Sequence, residues 1–256
     1  MRLYITLTFL FLLLSTYIFA QNPISSFAIS DNSGCSPHTV SFTDQSSNAS
    51  SWSWTFGNGN ISTNQNPSAV YTIPGTYTVT LTVYNGVLSN SSSQTITVFS
   101  NPHANFEAVE TIYCTPFNTN FHDLSVQGDG TLTQWTWDFG DGYSSSSQNP
   151  SHIFQDEGLY TITLQVIDEN GCNADTFFSN FITVTEKPVI NISASETFSC
   201  EPPLDVQFTN NSTAYGNVTY AWDLGNGETS TIAAPSSSYD VTGQYDVSFS
   251  ITDENG

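Results

Sequence analysis

The chain repeats itself three times. An aromatic run occurs as Trp52-Ser53-Trp54-Thr55-Phe56-Gly57-Asn58-Gly59, as Trp135-Thr136-Trp137-Asp138-Phe139-Gly140-Asp141-Gly142 and as Tyr220-Ala221-Trp222-Asp223-Leu224-Gly225-Asn226-Gly227. In every case a glycine follows at the same distance beyond the central tryptophan and opens a second shared run, Gly75 to Leu81, Gly158 to Leu164 and Gly243 to Phe249. The central residues Trp54, Trp137 and Trp222 recur at a nearly even interval. That interval is longer than a solenoid repeat and suits a small domain. Folding this chain therefore means solving one unit three times.

The unit reads as all-β. Val40, Phe42 and Asp44 alternate with polar residues, as do Trp52, Trp54 and Phe56, and Tyr77, Val79, Leu81 and Val83. Apolar residues at period two mark strands with one buried face. The Gly-Asn-Gly and Gly-Asp-Gly triplets supply the positive φ of a tight turn, and Asn85-Gly86, Asn170-Gly171 and Asn255-Gly256 mark a second hairpin. No stretch has helical periodicity. Several short strands with regularly spaced turns predict a two-sheet sandwich.

Composition limits the partners. The 256 residues carry two Lys+Arg against 23 Asp+Glu, a formal net charge of -21. Such a surface repels nucleic acid and anionic membrane, since it has no basic patch to meet phosphate. Arg2 followed by the apolar run Leu3 to Leu14 and a small residue at Ala20 predicts a secretory leader over residues 1–20, removed before Gln21. Cleavage leaves Lys187 as the sole basic side chain and predicts no membrane insertion of the mature chain. The expected location is secreted or at the cell surface, where disulfides persist.

The repeated motifs resemble those of PKD domains, immunoglobulin-like modules named after the polycystic kidney disease protein. The landmarks are W-x-F-G-x-G, the N-P-S-x-x-Y/F segment at Asn66 to Tyr71 and Asn149 to Phe154, and the G-x-Y-x-V/I-x-L run. The resemblance implies tandem PKD-type seven-stranded β-sandwiches over 21–101, 102–187 and 188–256. The third departs at Leu224, at Ala234-Pro235-Ser236 and by one extra residue between Cys200 and Phe208, and it is expected to stop before its last strand, as in the N-terminal fragment of a longer protein. The last strands of the first two are expected at Gln94 to Val98 and Phe178 to Val184. The resemblance also implies an extracellular spacer, adhesion or ligand-contact module meeting a protein or polysaccharide. The alternative is the accessory N-terminal part of a secreted hydrolase whose catalytic domain lies beyond residue 256.

The four cysteines occupy two repeat positions. Cys35, Cys114 and Cys200 each precede an x-Pro pair, and Cys172 follows the Asn170-Gly171 turn. In an immunoglobulin-like sandwich these positions lie at opposite poles, separated by about 20 Å for a six-residue strand, whereas a disulfide needs Cα atoms within about 7 Å. A head-to-tail array favours an inter-domain Cys35–Cys172 bridge over an intra-domain Cys114–Cys172 bridge or free thiols. Cys114 then awaits a cysteine directly after Gly256.

No residue set reads as catalytic. His38, His103, His122 and His152 do not recur between repeats and do not pair with the cysteines as a nucleophilic dyad or a zinc set. Asp138 and Asp141 are weak calcium candidates, since hard cations seek clustered oxygens; the competing role for both is turn formation. No other cofactor is expected. Trp52, Trp135 and Tyr220 could stack on sugars, but sharing a strand face with the central tryptophans assigns them to core or rim packing.

Overall fold

The computed structural model describes residues 21–254, so the leader expected over 1–20 lies outside the described residues. The chain divides into two compact units, one ending at Ser100 and the other starting at Asn101. The first holds one repeat and the second holds two.

The first repeat comprises β1 (Phe27–Ile29), β2 (Ser33–Cys35), β3 (His38–Asp44), β4 (Ser51–Thr55), β5 (Ile61–Ser62), β6 (Ser68–Tyr71), β7 (Gly75–Asn85) and β8 (Leu88–Phe99). They form a three-stranded sheet, β1-β3-β6, facing a five-stranded sheet, β2-β8-β7-β4-β5. The expected seven strands become eight segments because the first strand is shared out: β1 pairs antiparallel with β3, and β2 crosses to pair parallel with β8. The last strand is also longer than expected. Apolar alternation begins only near its end, at Ile96 and Val98, yet backbone pairing with β7 starts at Leu88. Serine and threonine fill the exposed part, and Thr80–Ser93 and Thr82–Ser91 hydroxyls bond across the pair at 2.8 and 2.9 Å.

Between the sheets Trp54 is fully buried with Phe27, Phe42, Phe56, Val79, Leu81 and Ile96. Burying each such side chain is worth roughly 2–3 kcal/mol, so these positions dominate the stability of a small sandwich. The indole N–H of Trp54 donates to the Asn64 carbonyl at 2.9 Å, which removes the cost of burying a polar atom. A tyrosine closes the far edge in all three repeats: Tyr77, Tyr160 and Tyr245 donate from their hydroxyls to the carbonyls of Ile73, Asp156 and Val241.

The second repeat copies this plan with β9 (Phe106–Ala108), β10 (Ile112–Cys114), β11 (Phe117–Asp123), β12 (Leu132–Asp138), β13 (Ser144–Ser145), β14 (Ser151–Phe154), β15 (Gly158–Asp168) and β16 (Asn173–Thr185). Its last strand differs. The register slips between Tyr160 and Ile162, and Asn180 takes a φ of 52° in the bulged part of β16. The bulge turns Phe178 and Phe181 onto Phe106, with ring centroids 4.8 and 5.4 Å away.

The third repeat has β17 (Ile192–Ala194), β18 (Leu204–Asn210), β19 (Thr219–Asp223), β20 (Thr229–Ser230), β21 (Ser236–Tyr239) and β22 (Ser248–Thr252). Among the described residues no strand pairs with the outer edge of β22, and Thr197 to Cys200, the counterpart of β2, is not a strand. Only Val206, Phe208, Trp222, Leu224 and Tyr239 are buried in its core, while Tyr245, Val247 and Phe249 are half-buried. Tyr245 and Val247 open onto a groove of about 610 Å³.

Candidate functional site

The repeated hairpin is built by backbone necessity. Gly57, Gly140 and Gly225 have φ near 77°, a left-handed conformation that disfavours any side chain. A Cβ at these positions would also lie 2.8, 2.6 and 2.5 Å from the carbonyl oxygens of Thr78, Thr161 and Asp246. The second glycine of each triplet, Gly59, Gly142 or Gly227, has φ near 90° but faces open space. Asp138 and Asp141 cap this turn: their Oδ1 atoms accept the Gly140 and Tyr143 amides at 2.9 and 3.1 Å. The other oxygen of Asp141 meets His152 Nε2 at 2.7 Å, and the imidazole lies flat on Phe139 with centroids 4.1 Å apart. In the third repeat the same places hold Asn226 and Ser237, joined at 2.9 Å. Among the described residues no three histidine, cysteine or acidic side chains cluster as a cation site.

A second polar centre lies where β3 and β11 end. Asp44 Oδ2 accepts the Trp52 indole N–H at 2.7 Å and the Gln65 amide at 3.0 Å, while Oδ1 accepts the Ser46 amide at 3.0 Å. Asp123 does the same with Trp135, Gln148 and Ser125. Burial pushes the Asp44 carboxyl up, but the hydrogen bonds from Ser46, Gln65 and Trp52 together outweigh it and hold the group below the usual carboxylate range. This centre was invisible as a motif, because its members are scattered from Asp44 to Gln65; the recurrence of Asp, Trp and Gln at matched places was the available signal. It also explains why Trp52 and Trp135 pack at the core rim with their indole N–H groups committed.

Cys35 and Cys172 are each disulfide-bonded, whereas Cys114 and Cys200 are free thiols. The intra-domain Cys114–Cys172 bridge is therefore not formed. Cys114 ends β10 opposite Thr185, the last residue of β16, while Cys172 immediately precedes β16. The whole length of β16 intervenes, roughly 40 Å at full extension. In the first repeat Val87 takes the place of Cys172 and is almost fully exposed.

Three tandem two-sheet sandwiches of one topology, with a parallel pairing of split first and last strands in the two that carry both, define an immunoglobulin-like repeat array. The chain belongs to the PKD domain family, whose profile matches residues 20–99, 100–183 and 185–256. Collagenase ColA of Bacillus cereus is 39% identical over 117 residues, which cover 44% of this chain and 11% of that protein. Pre-pro-metalloprotease PrtV of Vibrio cholerae is 28% identical over 128 residues, 50% of this chain and 14% of that protein. The chain thus spans a small part of the length of these relatives. Among solved structures, the PKD1 domain of Vibrio anguillarum Epp is 32% identical, covering 33% of this chain and 96% of its own, with a TM-score of 0.30.

Proposed function

We propose that the chain is a non-catalytic extracellular array whose sandwiches act as spacers and contact surfaces for a protein or polysaccharide. The observation that carries this reading is the internal use of the repeated glycines, aromatics and carboxylates. The repeated glycines shape turns, the repeated tryptophans and phenylalanines fill cores, and the Asp44 and Asp123 carboxylates bind their own indoles. The recurring aromatic and glycine landmarks maintain the sandwich. Oxidised cysteines support a location outside the cytoplasm, as does the expected leader. No helix among the described residues is long and apolar enough to cross a membrane.

A second reading places these repeats as the accessory part of a secreted hydrolase. It is favoured by relatives named collagenase and metalloprotease, in which the similar stretch is a minor share of the protein. Cosedimentation of the purified chain with insoluble collagen fibrils, and separately with chitin and cellulose, discriminates the two. Retention on collagen alone supports the accessory reading, and retention elsewhere supports a different contact role. Hydrolysis of gelatin by the purified chain would overturn the non-catalytic reading itself.

A further inference from the structure

Four Asn-Gly pairs fall within the described residues: Asn58-Gly59, Asn85-Gly86, Asn170-Gly171 and Asn226-Gly227. The backbone nitrogen after an asparagine can attack its side-chain amide, and glycine shields that nitrogen least because it has no side chain. Attack requires a glycine nitrogen free to lose its proton and an asparagine amide free to turn. Neighbouring carboxylates oppose it, because they disfavour the nitrogen anion. The fold meets these conditions at one pair and denies them at the other three.

Asn58 and Asn226 are held as turn caps. Asn58 Oδ1 accepts the Asn60 amide at 3.1 Å, and its Nδ2 donates to the Val70 carbonyl at 3.2 Å. Asn226 Oδ1 accepts the Glu228 amide at 3.0 Å, and its Nδ2 donates to the Ser237 hydroxyl at 2.9 Å and to Glu228 Oε2 at 3.2 Å. At Asn170 the nucleophile itself is committed, since the Gly171 amide donates to the Asp168 carbonyl at 3.0 Å. Asp168 and Glu169 also place two acids directly before this pair.

Asn85 differs on every count. It ends β7 opposite Leu88, and the two-residue loop Gly86-Val87 stands in solvent, with Val87 almost fully exposed. Pairing at such a strand end opens at the least cost in free energy. Among the described residues the Gly86 amide donates to no acceptor, and a Cβ at Gly86 would meet only open space. The Asn85 side chain makes one exposed bond, from Nδ2 to the Gln21 carbonyl at 3.0 Å. No acid occurs in the sequence between Asp44 and Glu107.

We propose that Asn85-Gly86 is a site of spontaneous backbone modification, with water as the co-reactant. The Gly86 nitrogen bonds to Cγ of Asn85, the Cγ–Nδ2 bond breaks, and the Gly86 proton leaves with Nδ2 as ammonia. Water then opens the cyclic imide at either carbonyl, giving aspartate or isoaspartate. One water enters and one ammonia leaves, with no oxidant or reductant. Both products replace the Nδ2 donor by a carboxylate, so the bond to Gln21 is lost. Isoaspartate also adds a carbon to the main chain at the mouth of a two-residue loop, whose geometry sets the register of β7 and β8.

The test holds the full chain in mildly alkaline buffer, folded and separately in guanidinium, and samples both over time by chymotryptic digestion and mass mapping. In the folded chain Asn85 is expected to gain one mass unit ahead of Asn58, Asn170 and Asn226. In guanidinium its lead over Asn58 is expected to vanish, because only the fold separates those two. Asn85→Gln is expected to remove the early shift and leave the far-UV spectrum unchanged. Earlier conversion of any of the other three in the folded chain overturns the proposal. So does a lead over Asn58 that persists undiminished in guanidinium, or an Asn85 that stays intact in the folded chain while the unfolded chain converts.

Discussion

The first and third repeats share a central tryptophan and differ in the polar residues that frame it. In the first, Asp44 gathers the Trp52 indole, the Gln65 amide and the Ser46 backbone, and Asn66 receives the Asp44 amide. In the third those places hold Asn210, Tyr220, Ala233 and Ala234. Only the turn bond survives, from the Ser212 amide to Asn210 Oδ1, and Gln207 reaches the carbonyls of Ala234 and Pro235 instead. Trp54 has an acceptor in Asn64, whereas Trp222 Nε1 is buried without one among the described residues. The comparison teaches that the central tryptophan and the turn glycines persist and that most core positions stay apolar, while the polar centre is kept or replaced as a set. A carboxylate without its donors, or an indole without its acceptor, would leave an unpaired group at the core rim.

The largest expected effect tests whether the cores differ in weight. Trp54→Ala should cost about 3–5 kcal/mol in the first repeat, and Trp222→Ala clearly less in the third, where fewer side chains are fully buried around it. Repeat-resolved hydrogen exchange reads both, and equal losses would confine the difference between the repeats to their rims. Next in size, Gly57→Ala should cost about 3 kcal/mol through its φ and the Thr78 carbonyl, while Gly59→Ala costs about 1 kcal/mol through φ alone. Gly225→Ala should match Gly57→Ala, since the turn is common to both repeats, and denaturant midpoints of the full chain decide it.

Asp44→Asn should destabilise the first repeat by about 1 kcal/mol, discounted because the group is only partly buried. The pH dependence carries the sign. Because the folded carboxyl lies below its ordinary value, its contribution is present above the unfolded pKa of about 4 and is lost as pH falls through the folded one. The gap between parent and variant should therefore close on acidification, as thermal melts at pH 6 and pH 3 would show. Smaller again, Asn210→Asp with Tyr220→Trp should rebuild part of the centre in the third repeat. A double-mutant cycle should return a coupling of about 0.5–1 kcal/mol, and additive singles would deny that the centre acts as a set. Least of all, millimolar calcium should leave the melting curve unmoved, since both oxygens of Asp141 are already engaged by Tyr143 and His152.

What the sequence disclosed follows the same division. Trp54, Trp137 and Trp222, the glycine triplets and the alternating runs each act through local periodicity or φ, so the sandwich was legible from them. The start of β8 was not, because Ser89 to Ser93 carry no apolar face and are held by backbone pairing with β7. The bulge at Asn180 was equally hidden, since it reorients Phe178 and Phe181 toward Phe106, at the opposite end of the repeat's sequence. The Asp44 centre joins three segments, and only tertiary structure brings its donors to one carboxylate.

The scarcity of basic side chains has a consequence of its own. Beyond Arg2 the chain offers a trypsin-like protease one residue, Lys187, and Pro188 follows it. The ring of that proline removes the amide hydrogen and fixes the backbone at the bond such enzymes would have to seat. Its acidic, hydroxyl-rich repeats thus present no serviceable cut site to endopeptidases that cut after Lys or Arg, in the folded state or out of it. Resistance of this kind is written into the alphabet of the chain, and it would survive thermal unfolding.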